Sequence, residues 1–192
     1  VDNILLKSKF KQDMEPIKST KEITMKDIKL YCIDVDSTLT NGLYHVSSNG
    51  VITKSFHTQD FWAIRRLLDN GVFVLIITGA KDDCIVYKIK TFDGQDNQNL
   101  KICKGVEDKH AKLDYLLKNY YHLDWADVAY IGDATNDLKC LKKVGWGSAP
   151  NDAMSIVKED IHYVCDAKGG EGAVCEFALE ILKSKGWTYS GS

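Results

Sequence analysis

Between Gly71 and Gly79 the chain runs Val72-Phe73-Val74-Leu75-Ile76-Ile77-Thr78, with no charged residue and no polar alternation. β-Branched and aromatic side chains favour extended backbone, and a strand wetted on one face would carry a polar residue at every second position. A continuous apolar strand must therefore be covered on both faces, as in a parallel sheet between two helical layers. The run is also far too short to span a bilayer, so membrane insertion is not expected.

The remaining pattern agrees with that demand. The spacing predicts strands over 29–35, 72–78, 100–103, 128–131, 145–149 and 162–165. It predicts helices over 60–70, 81–92, 108–120, 136–144 and 172–185, with Gly71 as a C-terminal stop for the first. Strands alternating with helices imply an α/β fold, a Rossmann-like three-layer sandwich with a mainly parallel central sheet. One segment breaks the alternation: residues 43–57 alternate apolar and polar around Ser48-Asn49-Gly50, which predicts a projecting β-hairpin with a type I′ turn. It follows the first strand and would stand at the carboxyl edge of the sheet, where open α/β folds bind ligands.

Composition narrows the function classes. The 192 residues are 44% hydrophobic, enough for one sizeable core. Lys+Arg 25 against Asp+Glu 27 leaves a formal charge of −2, so no global field recruits nucleic acid or an anionic membrane. The tryptophans, without a basic groove, fit packing better than base stacking. Cys32, Cys84, Cys103, Cys140, Cys165 and Cys175 form no CxxC pair or zinc-like cluster, which predicts reduced thiols and a cytoplasmic protein. Residues 1–24 are polar and mixed in charge, reading as an arm or linker ahead of a domain over 25–187, with no signal-peptide pattern. The opening Val1 leaves room for an upstream portion of a longer protein.

Chemistry gathers at the carboxyl ends of the predicted strands. The first strand ends in Asp34-Val35-Asp36-Ser37-Thr38. Side chains alternate along extended backbone, so Asp34 and Asp36 project from one face. Two carboxylates that close repel each other, and a divalent cation with oxygen preference relieves the repulsion. Thr78-Gly79 closes the second strand, Lys109 opens a helix, and Gly132-Asp133-Ala134-Thr135-Asn136-Asp137 follows the 128–131 strand. Singly each has a plainer reading: Thr78 as a strand former, Lys109 as a solvated helix residue, Asp137 as a first-turn acid. Together they supply a carboxylate that can attack phosphorus, a second acid for proton transfer, and a hydroxyl and an ammonium for the phosphoryl oxygens.

With these four motifs in this order, the chain resembles the haloacid dehalogenase superfamily of phosphatases. Its finer similarity, over roughly 25–185, is to the small branch without a cap domain that includes KDO 8-phosphate phosphatases. Thr40-Asn41-Gly42, the hairpin around Asn49-Gly50, Phe56-His57-Thr58-Gln59-Asp60, Val144-Gly145 and Gly169-Gly170-Glu171-Gly172-Ala173-Val174 carry it. The resemblance implies Asp34 as nucleophile and Asp36 as general acid/base. It implies Mg²⁺ held by Asp34, the Val35 carbonyl and Asp133, with Asp36 in the ligand set. Thr78, Gly79 and Lys109 would bind the phosphoryl group, with Asp137 and Asn136 supporting Lys109 and the metal site. Gln59, Asp60 and Glu171 are the substrate candidates.

By the same resemblance the substrate is a small sugar-acid phosphate, 3-deoxy-D-manno-octulosonate 8-phosphate first and a nonulosonate 9-phosphate second. The partner is a second copy of the chain, in a homotetramer with hairpins packed centrally and a neighbour's C-terminal segment closing each site. The same domain type also occurs behind acylneuraminate cytidylyltransferases, so a non-catalytic tetramerisation role is the further alternative. Three stretches depart from the branch pattern: Glu171 replaces an arginine, Gln59-Asp60-Phe61 replaces Arg-Asp-Gly, and Ser37 replaces a glycine. A response-regulator receiver uses similar residue types, but its phosphoacceptor lies on a middle strand, unlike Asp34.

Overall fold

The computed structural model of the chain describes residues 24–92 and 96–188. In chain order it contains β1 (Leu30–Ile33), β2 (His45–Val46), β3 (Ile52–Thr53), α1 (Thr58–Asp69), β4 (Phe73–Ile77) and α2 (Cys84–Lys90). There follow β5 (Leu100–Cys103), α3 (Lys109–Leu116), β6 (Val128–Ile131), α4 (Leu138–Leu141), β7 (Trp146–Ala149), α5 (Ser155–Lys158), β8 (Tyr163–Val164) and α6 (Ala173–Ser184). Six strands form one sheet in the order β5-β4-β1-β6-β7-β8, every neighbouring pair parallel. The chain steps from β1 outward to β4 and β5, then returns to the other side of β1 with β6. That reversal opens a crevice between the carboxyl ends of β1 and β6, where ligands bind in folds of this class.

The apolar strands are covered on both faces, as their composition demanded. On one side Tyr31, Ile33, Val74, Ile76, Ala129 and Ile131 pack with Ile64 and Leu67 of α1, Ile85 and Ile89 of α2, and Phe177 and Ile181 of α6. On the other side Leu30, Cys32, Leu75, Ile77, Val128 and Tyr130 pack with Leu113 and Leu116 of α3 and with Cys140, Leu141 and Val157. Each fully buried aliphatic side chain contributes about 1.5–3 kcal/mol of transfer free energy, so the strand positions are held strongly. All six cysteines are free. Among the described residues no helix is long and apolar enough to cross a membrane.

Several elements are shorter than their periodicity predicts. The helix expected over 81–92 begins only at Cys84, because Asp82 first accepts the Cys84 amide in a local turn (3.1 Å). The helix expected over 136–144 is a single turn, Leu138–Leu141, because the backbone before it is wrapped around the Asp137 carboxylate. After Leu116 the next helix widens into a π turn over Leu117–Tyr121 and stops at His122, whose φ is +54°. The short α5 had no sequence signal. In the hairpin, Gly50 has φ +81° while Ser48 and Asn49 do not have positive φ. The Gly50 amide bonds the Ser47 carbonyl (2.9 Å), making a three-residue loop that ends in a left-handed glycine rather than the expected type I′ turn. The expected arm over 1–24 lies, apart from Thr24, outside the described residues.

Asp60 ties α1 to α6. It is fully buried, and its Oδ1 accepts the amide of Cys175 (2.8 Å), one of the N–H groups the first turn of α6 leaves unpaired. Its Oδ2 has no hydrogen-bond partner. Burial pushes the Asp60 carboxyl up to about 6, against the pull of the Cys175 amide and His57. The folded chain therefore holds a proton between about pH 4 and 6 that the unfolded chain has released, so this group's contribution falls as pH rises through that window. Asp60→Asn keeps an acceptor for Cys175 and removes the charge. Urea unfolding at pH 4.5 and 7.5 should show the variant gaining more over wild type at the higher pH, by on the order of 2 kcal/mol between the two. An equal difference at both pH values would refute this account.

Candidate active site

The crevice is built first by the loop after β1. The Asp34 amide extends the ladder to the Ile131 carbonyl (3.0 Å), so Asp34 is held where the strand ends and its side chain is buried. The chain then coils around the Val35 carbonyl, which accepts the amides of Thr38 (3.3 Å), Leu39 (2.9 Å) and Thr40 (2.9 Å) and the Thr40 hydroxyl (3.3 Å). This corrects the expected metal-ligand role of Val35: a carbonyl surrounded by four donors has no lone pair left for a cation. Gly170, with φ +68°, donates its amide to the Thr38 carbonyl (3.0 Å). A Cβ there would lie 2.4 Å from the Asn41 nitrogen, so only glycine lets this loop close on the first motif.

Lys109 is the first residue of α3. Its helix is capped by Asp108, which accepts the Ala111 amide (2.9 Å). The Lys109 ammonium is buried and donates to Asp34 Oδ1 and to Asp137 Oδ1, the latter at 2.8 Å. Asp137 also accepts the Tyr130 hydroxyl (2.6 Å) and the amides of Asp133 and Ala134 (3.2 Å each). A Cβ at Gly132 would lie 2.5 Å from the Asp137 carboxyl carbon, so glycine is what allows this carboxylate so close to the β6 terminus. Burial works against the Lys109 charge, but Asp34 and Asp137 outweigh it and hold its pKa above the ordinary lysine value. Burial and Asp137 push the Asp34 carboxyl well above the usual carboxylate range, with Lys109 pulling it back.

Thr78 stands at the end of β4, buried. Its hydroxyl oxygen accepts the Ala80 amide (3.0 Å), leaving the hydroxyl proton to donate elsewhere. Asp34, Asp36, Ser37, Thr78, Gly79, Lys109, Asp133 and Asn136 line one cavity of about 250 Å³, together with Ala80 and Ala134. Oxygens of Asp34, Asp133 and Asp137 lie within 4.8 Å of one another. Thr38 donates to Asp133 Oδ1 (3.4 Å), and burial with Asp137 raises the Asp133 carboxyl. Three carboxylates against one ammonium leave an excess of negative charge in a largely dehydrated place. Such an oxygen-only set fits a hard divalent cation. Asp137 is already committed to Lys109, Tyr130 and two amides, which leaves Asp34 and Asp133 to face the ion.

A family model described as haloacid dehalogenase-like hydrolase matches residues 80–177. A 3-deoxy-D-manno-octulosonate 8-phosphate phosphatase of Salmonella typhi is 31% identical over 177 residues, covering 89% of this chain and 88% of that protein. The chain belongs to the haloacid dehalogenase-like hydrolases. Among solved structures, a probable yrbi family phosphatase from Pseudomonas syringae pv. phaseolica superposes with TM-score 0.78 at 37% identity, covering 84% of this chain and 89% of that one. The 3-deoxy-D-manno-octulosonate 8-phosphate phosphatase of Moraxella catarrhalis, in complex with magnesium, phosphate and KDO, gives TM-score 0.78 at 31% identity, covering 84% and 90%. The resemblance to the cap-less branch therefore holds, and the hydrolase is a phosphatase by family.

Not every expected residue reaches the cavity of this hydrolase. Gln59 and Glu171 are exposed and do not line it, and Asp60 is sealed between α1 and α6. The substrate role considered for Asp60 is thus corrected: its free oxygen is buried away from any ligand. Three residues went unnoticed in the sequence. Tyr130 could have been suspected, since a buried tyrosine on an apolar strand needs a partner for its hydroxyl. Lys54 and Asp82 carried no such signal. The Lys54 ammonium donates to Asp36 Oδ1 and Asp82 Oδ2, both at 2.7 Å, joining the hairpin to the loops after β1 and β4.

Gly132→Ala should push Asp137 off Lys109. We expect the variant to fold with a lowered melting temperature and to lose about 100-fold in kcat/KM for phosphate esters, as when a reacting group shifts by about 1 Å. Wild-type kinetics in the variant would show that Asp137 does not need its present position.

Proposed function

We propose that this chain is a Mg²⁺-dependent phosphomonoester hydrolase that acts through an aspartyl phosphate on a small sugar-acid phosphate, 3-deoxy-D-manno-octulosonate 8-phosphate. The observation that carries the chemistry is the Lys109 ammonium fixed between Asp34 and Asp137, with Asp36 and Thr78 on the same cavity. The substrate is supported by the relatives named above, and the cation by the carboxylate set and by the magnesium in the Moraxella enzyme.

In this reading an Asp34 oxygen attacks phosphorus while the bond to the ester oxygen breaks. Asp36 gives its proton to the departing alkoxide, so the alcohol leaves neutral. Lys109 and the Thr78 hydroxyl face the phosphoryl oxygens and stabilise the charge spread over them. Water then attacks phosphorus, Asp36 takes its proton, and the bond to Asp34 breaks to release inorganic phosphate. Asp34 and Asp133 would hold Mg²⁺, which would offset the charge of the phosphoryl oxygens and of the crowded carboxylates.

A second copy of the chain is the proposed partner. Leu43, Tyr44, Val46, Val51 and Ile52 on the hairpin are all more than 40% exposed, an apolar surface on a two-stranded element. That surface supports central packing of hairpins in a homotetramer. Six free cysteines support residence in a reducing compartment, the cytoplasm.

The test is phosphate release from 3-deoxy-D-manno-octulosonate 8-phosphate and a panel of sugar phosphates, with Mg²⁺ and with EDTA. Wild type should hydrolyse the octulosonate ester best and stop in EDTA, and Asp34→Asn should be inactive while melting as a folded protein. Turnover by Asp34→Asn, or full activity in EDTA, would refute the mechanism. Sedimentation should give a tetramer for wild type and a smaller species for Val46→Asp.

A further inference from the structure

The Lys54 side chain is only 1% exposed, yet it comes from the exit of β3 in a hairpin that is otherwise exposed. Burying an ammonium is costly unless it is paired, and here two carboxylates pair it. Three stretches far apart in sequence meet at one nitrogen: Asp36 after β1, Lys54 after β3 and Asp82 after β4. Burial opposes the Lys54 charge, but Asp36 and Asp82 outweigh it, so the group is a cation at all physiological pH values. The Tyr44 ring lies 4.9 Å from the ammonium. The Cys84 thiol reaches the Ile52 carbonyl at 3.6 Å, a second fastening between the hairpin and the loop after β4.

Asp36 has little else to fix it. Its side chain is partly exposed, and the next residue, Ser37, adopts φ +61°, so no regular element carries it. Among the described residues, no other side chain hydrogen-bonds its carboxylate. Lys54 engages Oδ1, Oδ2 takes no side-chain hydrogen bond, and Asp36 lines the cavity. We infer that Lys54 is a positioning residue, holding the Asp36 carboxylate in the orientation from which a proton passes to the leaving oxygen and from the attacking water. This rests on the proposed aspartyl-phosphate mechanism and adds to it a residue outside the four motifs. It also makes the hairpin part of the catalytic assembly rather than a surface ornament, because the hairpin delivers the cation.

Leaving groups separate this role from simple anchoring. An alkyl phosphate needs a proton on its leaving oxygen, whereas p-nitrophenolate departs without one. In Mg²⁺, Lys54→Met should lower kcat for an alkyl phosphate by about 100-fold with KM within about threefold of wild type. With p-nitrophenyl phosphate it should release one equivalent of nitrophenolate in a fast burst and then turn over slowly, because the water step still needs Asp36. Lys54→Arg, which retains a donor to both carboxylates, should recover at least about tenfold of the loss. Asp82→Asn loosens the same anchor without touching Asp36, and should lower the melting temperature yet show no burst. Wild-type turnover in Lys54→Met, equal losses in its burst and steady-state phases, or an Asp82→Asn variant that reproduces its kinetics would each overturn the inference. If Asp34→Asn is inactive and Lys54→Met is normal, this inference alone falls. If Asp34→Asn turns over, the mechanism beneath it falls.

Discussion

A single buried ammonium governs the crevice. Without Lys109, three carboxylates would crowd a dehydrated place with nothing to offset them, and breaking such a buried pair typically costs about 3–5 kcal/mol. The pairing has a direction as well as a magnitude. Asp137 is the fixed side, held by Tyr130 and two backbone amides, so Lys109 is aimed from it at Asp34. The remaining negative charge on Asp34 and Asp133 is left for a divalent cation.

The fold supplies the meeting place. Because the strand order reverses at β1, the loops after β1 and β6 diverge and leave a gap between them. Apolar strands covered on both faces hold that gap open, since moving one strand end would disturb packing in two cores at once. The loop before α6 closes on the first motif through Gly170, and α6 itself is tied to α1 by the buried Asp60. Asp60 is a costly group at neutral pH, and its place in the chain is explained by the helix end it satisfies rather than by chemistry on a substrate.

The hairpin adds a different kind of support. With two residues in each strand and an exposed apolar surface, it has little stability of its own. Its attachment runs through Lys54 to Asp36 and Asp82, so its position and the orientation of Asp36 are parts of one ion-pair network. Packing of hairpins between copies of the chain would act on the same network.

The sequence alone determined the layers of the fold and the residues at the ends of the strands. Continuous apolar runs require cover on both faces, and Asp34, Asp36, Thr78, Lys109 and Asp133 sit at strand ends or helix starts that local pattern locates. It also exposed the departures at Ser37, Gln59 and Glu171. Tertiary structure alone decided which groups meet. The Lys54–Asp36–Asp82 junction joins segments with no common periodicity, and the commitment of the Val35 carbonyl to three amides and a hydroxyl depends on how one loop coils. The one-turn α4 and the burial of Asp60 are likewise outcomes of side chains competing for backbone N–H groups. Periodicity reports which face of an element is buried; it carries no information about which distant polar atom will complete a hydrogen bond there.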